Sequence, residues 1–145
     1  MYNTILVPLD GSKRAEHILG HVEKLGVCDT TKVIFIQVVR PPKMLEYGTP
    51  KPELFQKQLD HKIGEAKKYL DGLTGKFKEK NIDSKAVVVF GTVVKEILYA
   101  AEREDADLIA ICSHGRSGLP RLYYGSVASG VLNRADRPLL IVRSR

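Results

Sequence analysis

The stretch Leu108-Ile109-Ala110-Ile111, followed by the loop Cys112-Ser113-His114-Gly115-Arg116-Ser117-Gly118 and then by Gly125-Ser126-Val127, sets the reading of this chain. Its first four residues make a short, unbroken apolar run, which suits a strand buried on both faces. Glycines in the loop let the backbone approach a ligand closely. Gly125-Ser126 stands directly before an apolar pattern of helical period at Val127, Val131 and Leu132. A helix beginning there turns free N–H groups outward, where an anion fits. Spacing alone leaves simple turn formation open as the alternative.

Working outward, similar runs stand at Ile5-Leu6-Val7, Val33-Ile34-Phe35-Ile36, Ala86-Val87-Val88-Val89-Phe90 and Leu139-Leu140-Ile141-Val142. Between them lie helical patterns: Ala15, Ile18, Leu19, Val22 and Leu25; Leu59, Ile63, Ala66, Leu70, Leu73 and Phe77; Val94, Ile97, Leu98 and Ala101. Each lays one apolar stripe toward a sheet. Strand and helix alternating to the end of the chain require crossovers, so the fold class is α/β, with parallel strands in one sheet and helices on both faces. Ser12 is placed to cap the first helix, Gly26 to close it, and Pro138 precedes the last strand, where a missing N–H is tolerated. The segment from Arg40-Pro41-Pro42 to Lys51-Pro52 carries four prolines and reads as a long loop. Its Lys43 and Lys51 are candidates for a lid over the same sheet end. Gly64, Gly72 and Gly75 each cost ~1 kcal/mol against alanine, which puts the continuity of the second helix in question.

With 145 residues, 43% hydrophobic and 28% charged, the chain has the arithmetic of one domain over residues 1–145, not of a disordered tail or a fibre. Cys28 and Cys112 share no metal-ligand spacing with the histidines, and no basic and apolar leader precedes Tyr2, which favours a reducing cytoplasmic setting. No apolar run approaches the ~20 residues of a membrane span. The net charge of +6 invites an anionic partner, yet the basic residues are dispersed and no nucleic-acid recognition motif accompanies them.

In an open parallel sheet a ligand binds outside the carboxyl ends of the strands, where strand order reverses. That rule selects the loop after the first strand, with Pro8, Leu9 and Asp10, and the glycine-bearing loop after the fourth. Cys112-Ser113-His114-Gly115, Arg116 to Tyr124, and Gly125-Ser126 match the spacing G-x2-G-x9-G-[ST] at every position except the first, where Cys112 replaces a glycine. Together with Ile5-Leu6-Val7-Pro8-Leu9-Asp10-Gly11-Ser12 and Arg137-Pro138-Leu139-Leu140-Ile141-Val142, this motif makes the chain resemble the nucleotide-binding branch of the universal stress protein family over its whole length.

The resemblance implies a doubly wound five-stranded sheet of order 3-2-1-4-5 and a site for an adenine nucleotide, ATP with a divalent cation such as Mg, or else AMP or ADP. It carries over Asp10, with Pro8 beside it, as the carboxylate that meets the ribose, and Val38 as the residue whose backbone pairs with adenine's edge. Gly115, Gly125, Ser126 and Val127 become the phosphate segment, with Arg116 or Arg121 as a fork of donors on the β- or γ-phosphate. A stress-response role follows from the family. So does a homodimer, because Leu139-Leu140-Ile141-Val142 would be an apolar edge strand that a second copy could cover.

Cys112 leaves two readings open: its Cβ intrudes where a glycine makes room for ribose and α-phosphate, or its thiol turns inward and continues the strand. A low-pKa redox thiol beside His114 is a third. His114 itself reads as a solvated loop histidine. No general base, metal triad or activated nucleophile can be assembled, so the chain reads as a binding protein that acts through conformation or partner contact, with any ATP hydrolysis slow. The rival is a dimeric interaction module of the same fold that takes no nucleotide.

Overall fold

Apolar residues on both sides of a strand need a core on both sides of the sheet, and that demand organises this chain. The computed structural model of the protein describes residues 1–26, 30–41, 51–114 and 125–144. Strands β1 (Thr4–Pro8), β2 (Lys32–Val39), β3 (Asp83–Phe90), β4 (Leu108–Cys112) and β5 (Leu139–Val142) form one sheet of order β3-β2-β1-β4-β5, parallel at every pairing. The order is the expected one, with the reversal between β1 and β4. Two expected loop residues are strand ends instead: Pro8 pairs with Ile36, and Cys112 with Val142. A proline at the end of a strand withholds only a donor that the ladder no longer needs.

Alternation along the strands divides the interior in two. Ile5, Val7, Val33, Phe35, Leu108 and Ala110 point to one core; Leu6, Ile34, Ile36, Ile109 and Ile111 point to the other. The first core is covered by a 3₁₀ turn (Ala15–Ile18) leading into α1 (Leu19–Leu25), and by α2 (Pro52–Glu79). The second lies under α3 (Val93–Arg103) and α4 (Ser126–Arg134). Ser12 does not hold the cap position expected of it, which Arg14 occupies before the 3₁₀ turn, but its hydroxyl accepts the Ala15 N–H at 3.2 Å from two residues further back. Gly26 closes α1 with an N–H to the Val22 carbonyl at 2.8 Å. Its φ of −87° needs no glycine, but a Cβ there would stand 3.1 Å from Ile82 Cγ2, so close packing is what requires it.

The second helix departs from expectation at both points raised against it. It begins at Pro52, the last proline of the presumed loop, because proline's fixed φ and missing N–H suit a first helical position. It then runs unbroken for 28 residues. Gly64, Gly72 and Gly75 all face solvent. Each costs ~1 kcal/mol in propensity. Burial of Leu70, Leu73 and Phe77 outweighs that, at roughly 1.5–3 kcal/mol per large apolar side chain. The Phe77 ring meets Phe35 of β2 edge-on at 4.9 Å between centroids, which docks the helix's far end to the sheet. Lys43 and most of the proline-rich segment lie outside the described residues. Among those described, no helix is long and apolar enough to cross a membrane.

Candidate functional site

The β1–β2 ladder stops at Pro8 and Ile36, with one further bond from the Leu9 N–H to the Ile36 carbonyl at 2.9 Å, while β2 runs on to Val39. The Val39 carbonyl faces the other way and accepts the Gly91 N–H at 3.1 Å. Backbone groups of successive strand residues alternate in direction, so Val38 shares the side of Ile36. Its N–H and C=O therefore point into the gap that β1 leaves. Across that gap the Ser113 N–H reaches the Val142 carbonyl at 2.8 Å, which turns the backbone of Cys112 toward the gap as well. The Cys112 side chain follows the face of Leu108 and Ala110, and the residue is 5% exposed. The inward-thiol reading of Cys112 is the one the geometry supports.

This gap is the mouth of a cleft of about 800 Å³ over the carboxyl ends of β1, β2 and β4. Pro8, Asp10, Val38, Cys112, Gly125 and Val127 all line it, as does Ser126. Asp10 sits at its centre in the order of strands, and its Oδ1 accepts the Ser12 N–H at 2.9 Å and the Ser12 hydroxyl at 2.5 Å. The turn passes through Gly11 at φ 85°, a conformation open to glycine at no steric cost. Lys62, Glu65, Ala66 and Tyr69 of α2 form the opposite wall, spaced as one helical stripe. Gly115, Arg116 and Arg121 lie outside the described residues; Lys51 is exposed at the start of α2.

The head of α4 corrects one expectation. Gly125 does not offer its amide to a ligand, because that N–H already bonds the Ser113 carbonyl at 2.8 Å. Glycine is required there by approach: a Cβ would stand 3.2 Å from the same carbonyl oxygen. The amides of Ser126, Val127 and Ala128 are the ones that begin the helix without intrahelical acceptors. His114 is the second correction. It is 2% exposed rather than solvated, with Nδ1 3.1 Å from the Ser113 hydroxyl and Nε2 buried without a partner among the described residues.

Two cleft residues escaped the sequence reading. Among the described residues, Gln37 of β2 carries a buried Oε1 with no partner, and the Tyr69 hydroxyl is buried with no hydrogen bond of good geometry. Burial first, and then the Glu16 carboxylate nearby, pushes the Tyr69 phenol well above its ordinary value of 10. Tyr69 falls in register with the core stripe of α2, and Gln37 interrupts an apolar strand at its carboxyl end. That interruption was the one signal available.

An open parallel sheet with a cleft across its strand reversal, and a helix amino end facing that cleft, defines a doubly wound α/β protein with a cleft at the switch point, the place where ligands of such folds bind. The chain belongs to the universal stress protein family, whose family model matches residues 1–143. A universal stress protein of Methanocaldococcus jannaschii is 29% identical over 157 aligned residues, covering 100% of this chain and 97% of the relative. The solved structure of that protein superposes with a TM-score of 0.86 at 30% identity, over 100% of this chain and 98% of the other. A universal stress protein solved in complex with cAMP shares the fold at TM-score 0.65 and 20% identity, covering 99% of this chain and 98% of that one. An Arabidopsis thaliana family protein with AMP bound does so at 0.69 and 17%, covering 99% and 92%.

Proposed function

We propose that this protein binds an adenine nucleotide, ATP with a divalent cation, in the cleft over β1, β2 and β4, and acts in a stress response through ligand-dependent conformation or partner contact. The observation that carries this reading is the pair of facing backbone sites. Val38 presents an N–H and a C=O at one wall, and the head of α4 presents unengaged amides at the other, with Asp10 between them. A donor and acceptor pair suits the edge of adenine, a carboxylate accepts from both hydroxyls of a ribose, and a helix amino end attracts phosphate. The bound AMP and cAMP of the two fold relatives support the ligand class.

In this reading Ser126, Val127 and Ala128 hold phosphate through their amides, the Ser126 hydroxyl adds a donor, and Gly125 shapes the turn. Gly115 and Arg116 are assigned by spacing alone. The divalent cation neutralises phosphate charge when bound. With no nucleophile or general base assigned, hydrolysis is slow or absent, and the protein is a binder working in the cytoplasm as a single domain.

Thermal unfolding with and without Mg-ATP tests the reading. A ligand at 100 times its Kd stabilises by ~2.7 kcal/mol, a rise in Tm of roughly 5–10 °C for a chain of this size. An unchanged Tm at millimolar Mg-ATP would favour the interaction module that takes no nucleotide.

A further inference from the structure

Three buried polar groups form a line from the last strand to the cleft. The Ser144 N–H, just past β5, donates to the Ser113 hydroxyl at 3.3 Å, and that hydroxyl lies 3.1 Å from His114 Nδ1. Ser113 and His114 are each 2% exposed and Ser144 4%, so solvent satisfies none of them. The hydroxyl has a single proton, and the direction in which it is spent decides the histidine's tautomer. If Nδ1 carries a proton and donates to Ser113, the serine proton has no acceptor among the described residues and Nε2 is left as a buried lone pair, which makes two orphans. If Ser113 donates to Nδ1, the proton sits on Nε2 and, of the two side chains, only that N–H lacks a partner among the described residues. Buried polar groups left unmade are costly, so the arrangement with one orphan prevails.

The ring that carries that N–H stands beside Gly125, at the head of α4. The ring atom Cδ2, bonded to Nε2, lies 3.9 Å from where a Cβ on Gly125 would be, and His114 lines the cleft. Gly125 is the N-cap of a nine-residue helix whose first amides also lack intrahelical acceptors. A buried donor thus adjoins a set of backbone donors, and the site as a whole wants an acceptor with several oxygens. We infer that His114, held in the Nε2–H tautomer by Ser113, donates to a phosphate oxygen of the ligand at the head of α4. The assignment rests on the nucleotide reading above and adds a side chain to it. It also ties the site to the end of β5, since Ser144 helps to fix the hydroxyl that fixes the ring.

Calorimetric titration of the whole chain with ATP, AMP and adenosine tests this, using His114→Asn and His114→Gln. Asparagine places its amide nearer the position of Nδ1 and glutamine nearer that of Nε2. His114→Asn should weaken ATP and AMP by about tenfold or more and leave adenosine unchanged, while His114→Gln retains most of the affinity. Equal losses for adenosine and ATP would mark a purely structural role, and no loss at all would remove His114 from the site; either result overturns the assignment. Nitrogen NMR of the unmodified protein gives an answer that depends on no variant. Nε2 should carry the proton and respond to AMP but not to adenosine, and a protonated Nδ1 would overturn the assignment. If the unmodified chain binds ATP and AMP normally while His114 fails these tests, the nucleotide reading stands without it. If none of the three ligands binds, both fall together.

Discussion

The Asp10 carboxylate accepts from the amide and the hydroxyl of Ser12, and so shapes the turn that leaves β1, while in the proposed complex it also meets the ribose. The two roles separate by ligand. Asp10→Ala should cost about 1–2 kcal/mol of stability through the lost turn bonds. It should also erase the preference for ATP over its 2′,3′-dideoxy analogue, measured by calorimetry with both nucleotides; a preference that survives the substitution would remove Asp10 from the ribose site. Cys112 gives a different expectation, because its backbone faces the cleft while strand alternation puts its buried side chain on the face of Leu108 and Ala110. Cys112→Gly should therefore leave ATP affinity within about twofold. Stability should fall by roughly 1–2 kcal/mol, from lost burial and a looser strand end, as read by urea unfolding. A large gain in affinity would show that the thiol crowds the ligand after all.

Helix α2 serves two purposes along one stripe, with Leu70, Leu73 and Phe77 in the core and Lys62, Glu65 and Tyr69 at the cleft wall. The hydrophobic period announced the helix but could not divide it, since a residue that closes a core and one that walls a cleft occupy the same face. Its start was hidden for a related reason: Pro52 breaks a helix anywhere except at the first turn, and only the folded chain shows which case applies. Tyr69 supplies a test of the wall. Burial and the Glu16 charge hold its phenol neutral, so its folded value stands above the ordinary 10. A raised value means that stability present below pH 10 drains away as the pH rises beyond it. Tyr69→Phe should therefore lose less stability than the unmodified chain between about pH 8 and about pH 11, compared by urea unfolding at both. Equal losses would place the phenol in water.

Across the whole molecule, the strands and their order were legible because a doubly covered sheet demands unbroken apolar runs, and the family resemblance supplied the order. Asp10, Val38, Cys112, Gly125, Ser126 and Val127 come together at one cleft because local spacing places each at a strand end or helix head. The burial of His114 was not legible. It comes with a contact from far along the chain, the Ser144 N–H on the hydroxyl of Ser113, thirty-one positions away, which no local spacing announces. The edge position of β5 leaves Leu139, Leu140, Ile141 and Val142 partly exposed, and we propose that a second copy pairs there under two-fold symmetry. Light scattering at micromolar concentration should report a dimer that a proline at Ile141 disperses, and a monomer at that concentration would contradict the pairing. The central claim is that an adenine nucleotide spans the gap from Val38 to the head of α4. Amide NMR of the unmodified chain, recorded while Mg-ATP is added, tests it most directly. The account predicts that the amides of Val38, Ser126 and Val127 shift together along one saturating curve while those of β3 stay in place. Saturation with no movement at Val38 or α4, or shifts confined to another surface, would contradict it.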